Sequence, residues 1–89
     1  MFYKLVAFTK RFEKEFKKLD GRQKAVFYLK LALWMDNPHD KSLRDHALKG
    51  KYIGYRSVDI TYDLRALYYT KGDVEVIFGF IGTHSQLYG

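Results

Sequence analysis

The sequence predicts an α+β fold of order β-α-α-β-β-β: a curved antiparallel sheet with an antiparallel helix hairpin on one face. Three observations point to it. Strand-like segments rich in aromatic and β-branched residues lie at both ends of the sequence. Two stretches with apolar residues at helical spacing lie between them. The single proline, Pro38 in DNPHD, separates the helical half from the strand-rich half.

FYKLVAF (2–8) reads as the first strand, with Lys4 its one charge. Thr9 is a good N-cap for a helix through about Leu19. Phe12, Phe16 and Leu19 recur at i, i+4 and i+7, so they share a face bordered by Lys10, Arg11, Lys14, Lys17 and Lys18. Asp20-Gly21 is the turn, with Gly21 expected to end the helix in the left-handed conformation. A second helix is expected from about Arg22 to Met35. Its AVFYLKLALWM is apolar around most of its circumference, which predicts the more buried helix. The short connection predicts antiparallel packing. Residues 36–51 are polar and turn-rich, a loop with one helical turn near Leu43. YIGYRSVDI (52–60), DLRALYYT (63–70) and VEVIFGFI (74–81) read as strands, the last two joined by a tight Lys71-Gly72-Asp73 turn. Short links make these neighbours antiparallel. GTHSQLYG is a tail.

At 89 residues the chain fits one domain, 1–89, without repeat or linker. Hydrophobic residues at 47% and charged residues at 29% mark it as globular. Its core is small, so the 16 aromatic residues matter, each able to bury about 150–250 Å². No cysteine is present, which excludes disulfides, zinc–thiolate sites and a cysteine nucleophile. With no apolar run near the roughly 20 residues a bilayer requires, and no signal peptide, the expectation is a cytoplasmic protein without a membrane partner. The net charge of +6 suits a polyanionic partner. It is uneven: residues 1–35 carry nine basic and three acidic side chains, 36–56 five and three, 57–89 two and four. The basic surface should therefore lie on the helices and central loop, although basic helix faces are also the ordinary solvated state.

Several motifs in order carry a resemblance. His46-Ala47-Leu48-Lys49-Gly50, Gly54-Tyr55-Arg56, Asp63 and the ending Gly82-Thr83-His84-Ser85-Gln86-Leu87-Tyr88-Gly89 resemble the YafQ branch of the RelE/ParE toxin superfamily, whose typical ending is G-T-H-x-x-L-F-G. The N-terminal strand and basic F-x-x-x-F-x-x-L helix match as well, so the resemblance spans essentially the whole chain. It implies the toxin of a type II toxin–antitoxin pair. Members of the branch are ribosome-dependent mRNA endonucleases, need no metal or other cofactor, and are held inactive by a cognate antitoxin. The implied partners are therefore an antitoxin, the ribosome and mRNA, with oligomers arising only through the antitoxin.

RNA cleavage without a metal needs a base for the 2′-hydroxyl, a cation for the phosphorane and an acid for the leaving 5′-oxygen. The resemblance assigns His84 to leaving-group protonation, with Asp63 and His46 on the base side. A surface histidine and a turn aspartate are the plainer alternatives for these residues. Arg65 resembles an arginine of the RelE branch proper. Strand alternation puts it on one face with Asp63, Leu67 and Tyr69. Arginine suits a phosphorane because its fork matches phosphate oxygens. Arg65 should either face the open side or pair with Asp59 or Asp63. Lys49, Lys51 and Arg56 are candidate phosphate contacts, and Tyr88 a candidate for stacking on a base or donating to phosphate. His39 has no counterpart. The branch usually has histidine where Asp59 stands and arginine where Phe80 stands. Two alternatives therefore stay open: a ParE-like toxin that inhibits gyrase, and a catalytically weakened RNA-binding member.

Overall fold

The computed structural model describes residues 5–88. In chain order its elements are β1 (Leu5–Phe8), α1 (Lys10–Lys17), α2 (Gly21–Asp36), β2 (His46–Ala47), β3 (Arg56–Asp59), β4 (Leu64–Lys71), β5 (Glu75–Thr83) and α3 (His84–Tyr88). Short 3-10 turns at Lys41–Leu43 and Gly50–Tyr52 flank β2. The sheet order is β1-β5-β4-β3-β2. The fold class is the expected α+β one, and the helical turn at Leu43 lies where it was expected.

Local chemistry explains the helix starts. Thr9 caps α1: its Oγ1 accepts from Phe12 N at 3.1 Å and donates to Gly79 O, also at 3.1 Å, so one hydroxyl begins the helix and ties it to the sheet. Asp20 and Gln23 form a capping box at the start of α2. This overturns the expected role of Gly21. It is the first residue of α2 and lacks a left-handed φ, because the aspartate beside it claims the helix start.

Three further expectations are corrected. β1 pairs with β5 in parallel, so the sheet is antiparallel only from β5 to β2. Residues 2–4 of the expected first strand lie outside the described residues. The strand expected over 52–60 begins only at Arg56, because Gly50 at φ 68° and Gly54 at φ 93° turn the preceding segment. α2 is less covered than its composition suggests. Phe27 and Trp34, seven apart, are buried, whereas Tyr28 and Leu29 are 56% and 70% exposed. The helix has sheet on one side only, so one stripe is covered.

The main core lies between the helices and the sheet. Phe8, Phe12, Phe16, Phe27 and Phe78 pack there in stacked, tilted and edge-on pairs, with ring centroids 5.0 to 6.2 Å apart. Pairs of this kind contribute about 0.5–1.5 kcal/mol beyond their buried area. At the rim, Asp45 accepts from Trp34 Nε1 at 2.9 Å, from Arg56 Nε at 2.7 Å and from the Tyr68 hydroxyl. The carboxylate thereby joins α2 to β3 and β4. Among the described residues no helix is long and apolar enough to cross a membrane.

A second, smaller apolar cluster lies on the opposite face, with Tyr52, Leu67 and Leu87 buried and Leu48, Tyr55 and Phe80 packed against them. A β-bulge links the two faces. Tyr68 pairs with Phe78 but Leu67 pairs with Phe80, so Gly79 is the extra residue. Residues two apart on a regular strand share a face. Here Phe78 points into the main core and Phe80 to the other side. Glycine suits the bulge because a Cβ at position 79 would lie 3.0 Å from the Tyr55 ring, which would have to shift to admit it.

Asp45→Ala removes the acceptor shared by Trp34, Arg56 and Tyr68 and is expected to lower stability by about 2–4 kcal/mol in urea unfolding. Burial, and then the hydrogen bond to Asp45, raise the Tyr68 phenol above its ordinary value of 10. The folded chain therefore keeps this proton to higher pH than the unfolded chain does. Its contribution to stability is complete below pH 10 and is lost as pH rises beyond it. Denaturation series from pH 8 upward are expected to show a shallower alkaline decline for Tyr68→Phe than for the wild type.

Candidate active site

The face opposite the helices carries most of the candidate residues. The pairings His46–Ser57, Ser57–Leu67 and Leu67–Phe80 form one row across four strands. Asp59–Arg65 and Arg65–Gly82 form the next row, two residues along. Directly paired residues, and residues two apart, share a face. His46 and Arg65 therefore belong to one surface, with His46 at its edge on β2. His46 is exposed, and its Nδ1 lies 2.7 Å from Arg44 O, which leaves Nε2 for solvent or substrate.

Arg65 is 18% exposed and its Nε lies 3.4 Å from Asp59 Oδ1. The other Asp59 oxygen lies 3.6 Å from Arg44 Nε, so one carboxylate, 14% exposed, sits between two guanidiniums. Of the two acids proposed for Arg65, the structure selects Asp59. The reason is register, since Asp59 is directly opposite Arg65 on the neighbouring strand. Asp63 is exposed, just before β4, and makes no ion pair among the described residues.

His84 opens α3. Thr83 and Gln86 form reciprocal hydrogen bonds at its start, Thr83 N donating to Gln86 Oε1 at 2.8 Å and Gln86 N to Thr83 Oγ1 at 3.1 Å. This is the capping-box pattern. T-H-S-Q is therefore a helix-start signal, and the expected tail is a short helix. α3 has only five residues and is held by tertiary contacts. Leu87 is buried, and the Tyr52 hydroxyl donates to Leu87 O at 2.8 Å. Gly82 leaves room for it, because a Cβ there would meet Gln86 and Leu87 within 3.1 to 3.7 Å.

Leu64 and Thr83 form the last rung between β4 and β5, and Asp63 and His84 are the residues immediately beyond it. The His84 and Tyr88 rings lie 4.8 Å apart, and the Tyr52 and Tyr88 rings 5.4 Å. Burial raises the Tyr88 phenol above its ordinary value, Tyr52 adds to the rise, and the nearby Arg65 charge opposes it. Asp63, Arg65, His84 and Tyr88 thus gather at one end of the β4–β5 ladder. Lys49 and Lys51 are exposed on the loop after β2, with Lys51 Nζ 5.1 Å from the Tyr52 ring centroid. Arg56 is different. It pairs with Tyr68 across the sheet and with Asp45 at the rim of the helix side, so it does not join this face. Sequence reasoning also missed Arg44, whose left-handed φ of 48° has no obvious signal in SLRD. Among the described residues no three His, Asp or Glu side chains group closely enough to hold a metal ion.

A family model described as the bacterial toxin of the type II toxin–antitoxin system, YafQ, matches residues 4–89. The chain belongs to the YafQ family. It is thus a toxin of a type II toxin–antitoxin system. Among solved structures, YafQ from E. coli strain BL21(DE3) has 24% identity and a TM-score of 0.81, covering 97% of this chain and 99% of that one. The E. coli DinJ–YafQ toxin–antitoxin complex has 23% identity and a TM-score of 0.77, covering 97% and 98%. A copper-bound mutant toxin from Helicobacter pylori has 31% identity and a TM-score of 0.71, covering 94% and 98%. No curated protein sequence matches the chain. The matched span contains His46, Asp63 and His84.

Tyr52→Phe removes only the hydroxyl that holds α3. It is expected to cost about 1 kcal/mol of stability. Amide exchange should rise at residues 84–88 with little change in β4, and hydrogen-exchange mass spectrometry checks both regions together.

Proposed function

We propose that this YafQ-family toxin is an endoribonuclease that cleaves ribosome-bound mRNA without a metal. The observation carrying this reading is the gathering of Asp63, Arg65, His84 and Tyr88 at the end of the β4–β5 ladder, with His46 on the same face. Asp63, with His46, takes the proton from a ribose 2′-hydroxyl. The oxygen attacks the adjacent phosphorus, and the bond from phosphorus to the 5′-oxygen breaks. His84 gives its proton to that oxygen, leaving a 2′,3′-cyclic phosphate and a 5′-hydroxyl. One proton is taken and one returned, so the step balances. Arg65 stabilises the charge on the equatorial oxygens, assisted by Lys49 and Lys51. Tyr88 stacks on a base or donates to the phosphate.

The partner is an antitoxin, as a DinJ–YafQ complex among the similar structures supports. The net charge of +6 favours an acidic one. A second reading, RNA binding without efficient cleavage, draws on Asp59, which already neutralises part of the Arg65 charge.

Expression in bacteria separates these readings. The wild-type chain is expected to arrest growth and to cut ribosome-bound transcripts. His84→Ala is expected to reduce cleavage by ~10²–10⁴-fold, the usual contribution of one acid–base group. Equal harmlessness of the two chains, with transcripts intact, would count against the nuclease. Poisoning of purified gyrase in a supercoiling assay would point instead to a ParE-like target. Asp63→Asn is expected to lower cleavage while leaving the thermal midpoint within a few degrees of the wild type. Arg65→Gln is expected to lower cleavage and, by leaving Asp59 with one partner fewer, the midpoint as well.

A further inference from the structure

Resting on the reading of this face as an RNA site, we propose that Arg11 of α1 belongs to the site. It would contact a backbone phosphate beside the one held by Arg65. Helix α1 lies on the main-core side, and its basic side chains read from sequence as an ordinary solvated face. Arg11 departs from that pattern. Its guanidinium carbon lies 4.9 Å from the centroid of the Phe80 ring, on the opposite side of the sheet from the main core.

The route around the edge is visible in the hydrogen bonds. β1 pairs with β5 only as far as Phe78, which leaves the rest of that edge bare. α1 takes over from there. Thr9 N donates to Phe78 O at 3.0 Å, Thr9 Oγ1 to Gly79 O at 3.1 Å, and Ile81 N to Glu15 Oε1 at 3.1 Å. The start of α1 thus borders the same short stretch of β5 in which the Gly79 bulge turns Phe80 outward. Arg11 reaches around that border and lies on the ring.

Arg11 is also held in a way that leaves its reactive end free. Its Nε lies 3.3 Å from Glu15 Oε2, and the other oxygen of Glu15 is fixed by the Ile81 amide. Stacking and one bond to Nε orient the plane. The two terminal nitrogens have no hydrogen-bond partner among the described residues, and the side chain is 66% exposed. A planar cation fixed on an aromatic ring with its fork open suits a phosphate oxygen, and its free face can stack on a base. Arg65 is one strand away. It pairs with Gly82, two residues beyond Phe80, so the backbones of Arg65 and Phe80 are diagonal neighbours about 7–8 Å apart. Arg11 comes to Phe80 from the edge of β5 away from β4, so the two cations flank that ring and can meet separate phosphates of one strand. Lys10, Lys14, Lys17 and Lys18 have no side-chain contact of this kind among the described residues.

The test compares Arg11→Ala with Lys14→Ala, which removes the same charge from the same helix without removing a contact. The probe is a single-stranded RNA of about ten nucleotides, 2′-O-methylated so that it resists cleavage, read by fluorescence anisotropy across a salt series. Arg11→Ala is expected to weaken binding about tenfold and to reduce the salt slope by ~0.7, the value of one phosphate contact on a single strand. Lys14→Ala should stay within about twofold with the slope unchanged. Arg11→Lys should restore the slope but only part of the affinity. Thermal midpoints of all four chains identify any loss that comes from unfolding, and the Arg11→Lys slope then decides the matter. Equal behaviour of Arg11→Ala and Lys14→Ala, or no binding by the wild type, overturns the proposal. Cleavage of ribosome-bound mRNA by the wild type, assayed alongside, judges the nuclease separately: Arg11-dependent binding without cleavage removes the chemistry and keeps the contact.

Discussion

One extra residue in β5 allows a small sheet to serve two surfaces. Before the bulge, Val76 and Phe78 point into the core beneath the helices. After it, Phe80 and Gly82 belong to the outer surface while Ile81 returns to the core. A regular strand would have placed Phe80 on the same side as Phe78 and left Leu67 without an aromatic neighbour across the strand. Gly79 favours the arrangement, because it lets the Tyr55 ring pack closer to the bulge than a Cβ would comfortably allow. Local bends of this kind re-aim side chains. Here the result is an aromatic floor of Tyr52, Tyr55, Tyr69 and Phe80 beside the charged row at Asp59 and Arg65.

Charge on that surface is distributed with some economy. Asp59 lies between Arg44 and Arg65 and keeps two guanidiniums near one spot, where they would otherwise repel each other. At the opposite rim, Asp45 performs a structural task for Arg56, Trp34 and Tyr68. Two aspartates, each near an arginine, thus have different consequences. One faces the surface with the candidate residues and one closes the core.

Much of this was legible in the residues, and the exceptions share a cause. Thr9 as a cap, Phe12 and Phe16 on one helix face and the tight turn at Gly72 are local features, and local spacing reveals them. The parallel pairing of β1 with β5 joins segments about seventy residues apart, and no local pattern encodes it. The bulge was hidden because Gly79 interrupts an apolar run that reads equally well as a regular strand. Exposure of Tyr28 and Leu29 reflects where the sheet ends, which composition does not specify. Among candidate residues, Asp63, Arg65, His84 and Tyr88 share a neighbourhood that strand order made plausible. Arg56 went to the other side because it is one residue out of step with Ser57 and Asp59, which a strand expected from 52 to 60 did not resolve.

The bond between the Tyr52 hydroxyl and Leu87 O ends on main chain rather than on a side chain. Position 87 is therefore constrained only in size and greasiness, whereas position 52 is constrained chemically. Leucine there could drift among aliphatic residues without moving the imidazole three places earlier. Even a conservative change of the phenol to another ring would loosen its support. Related chains that preserve the geometry should accordingly show latitude at the first position and a hydrogen-bond donor at the second.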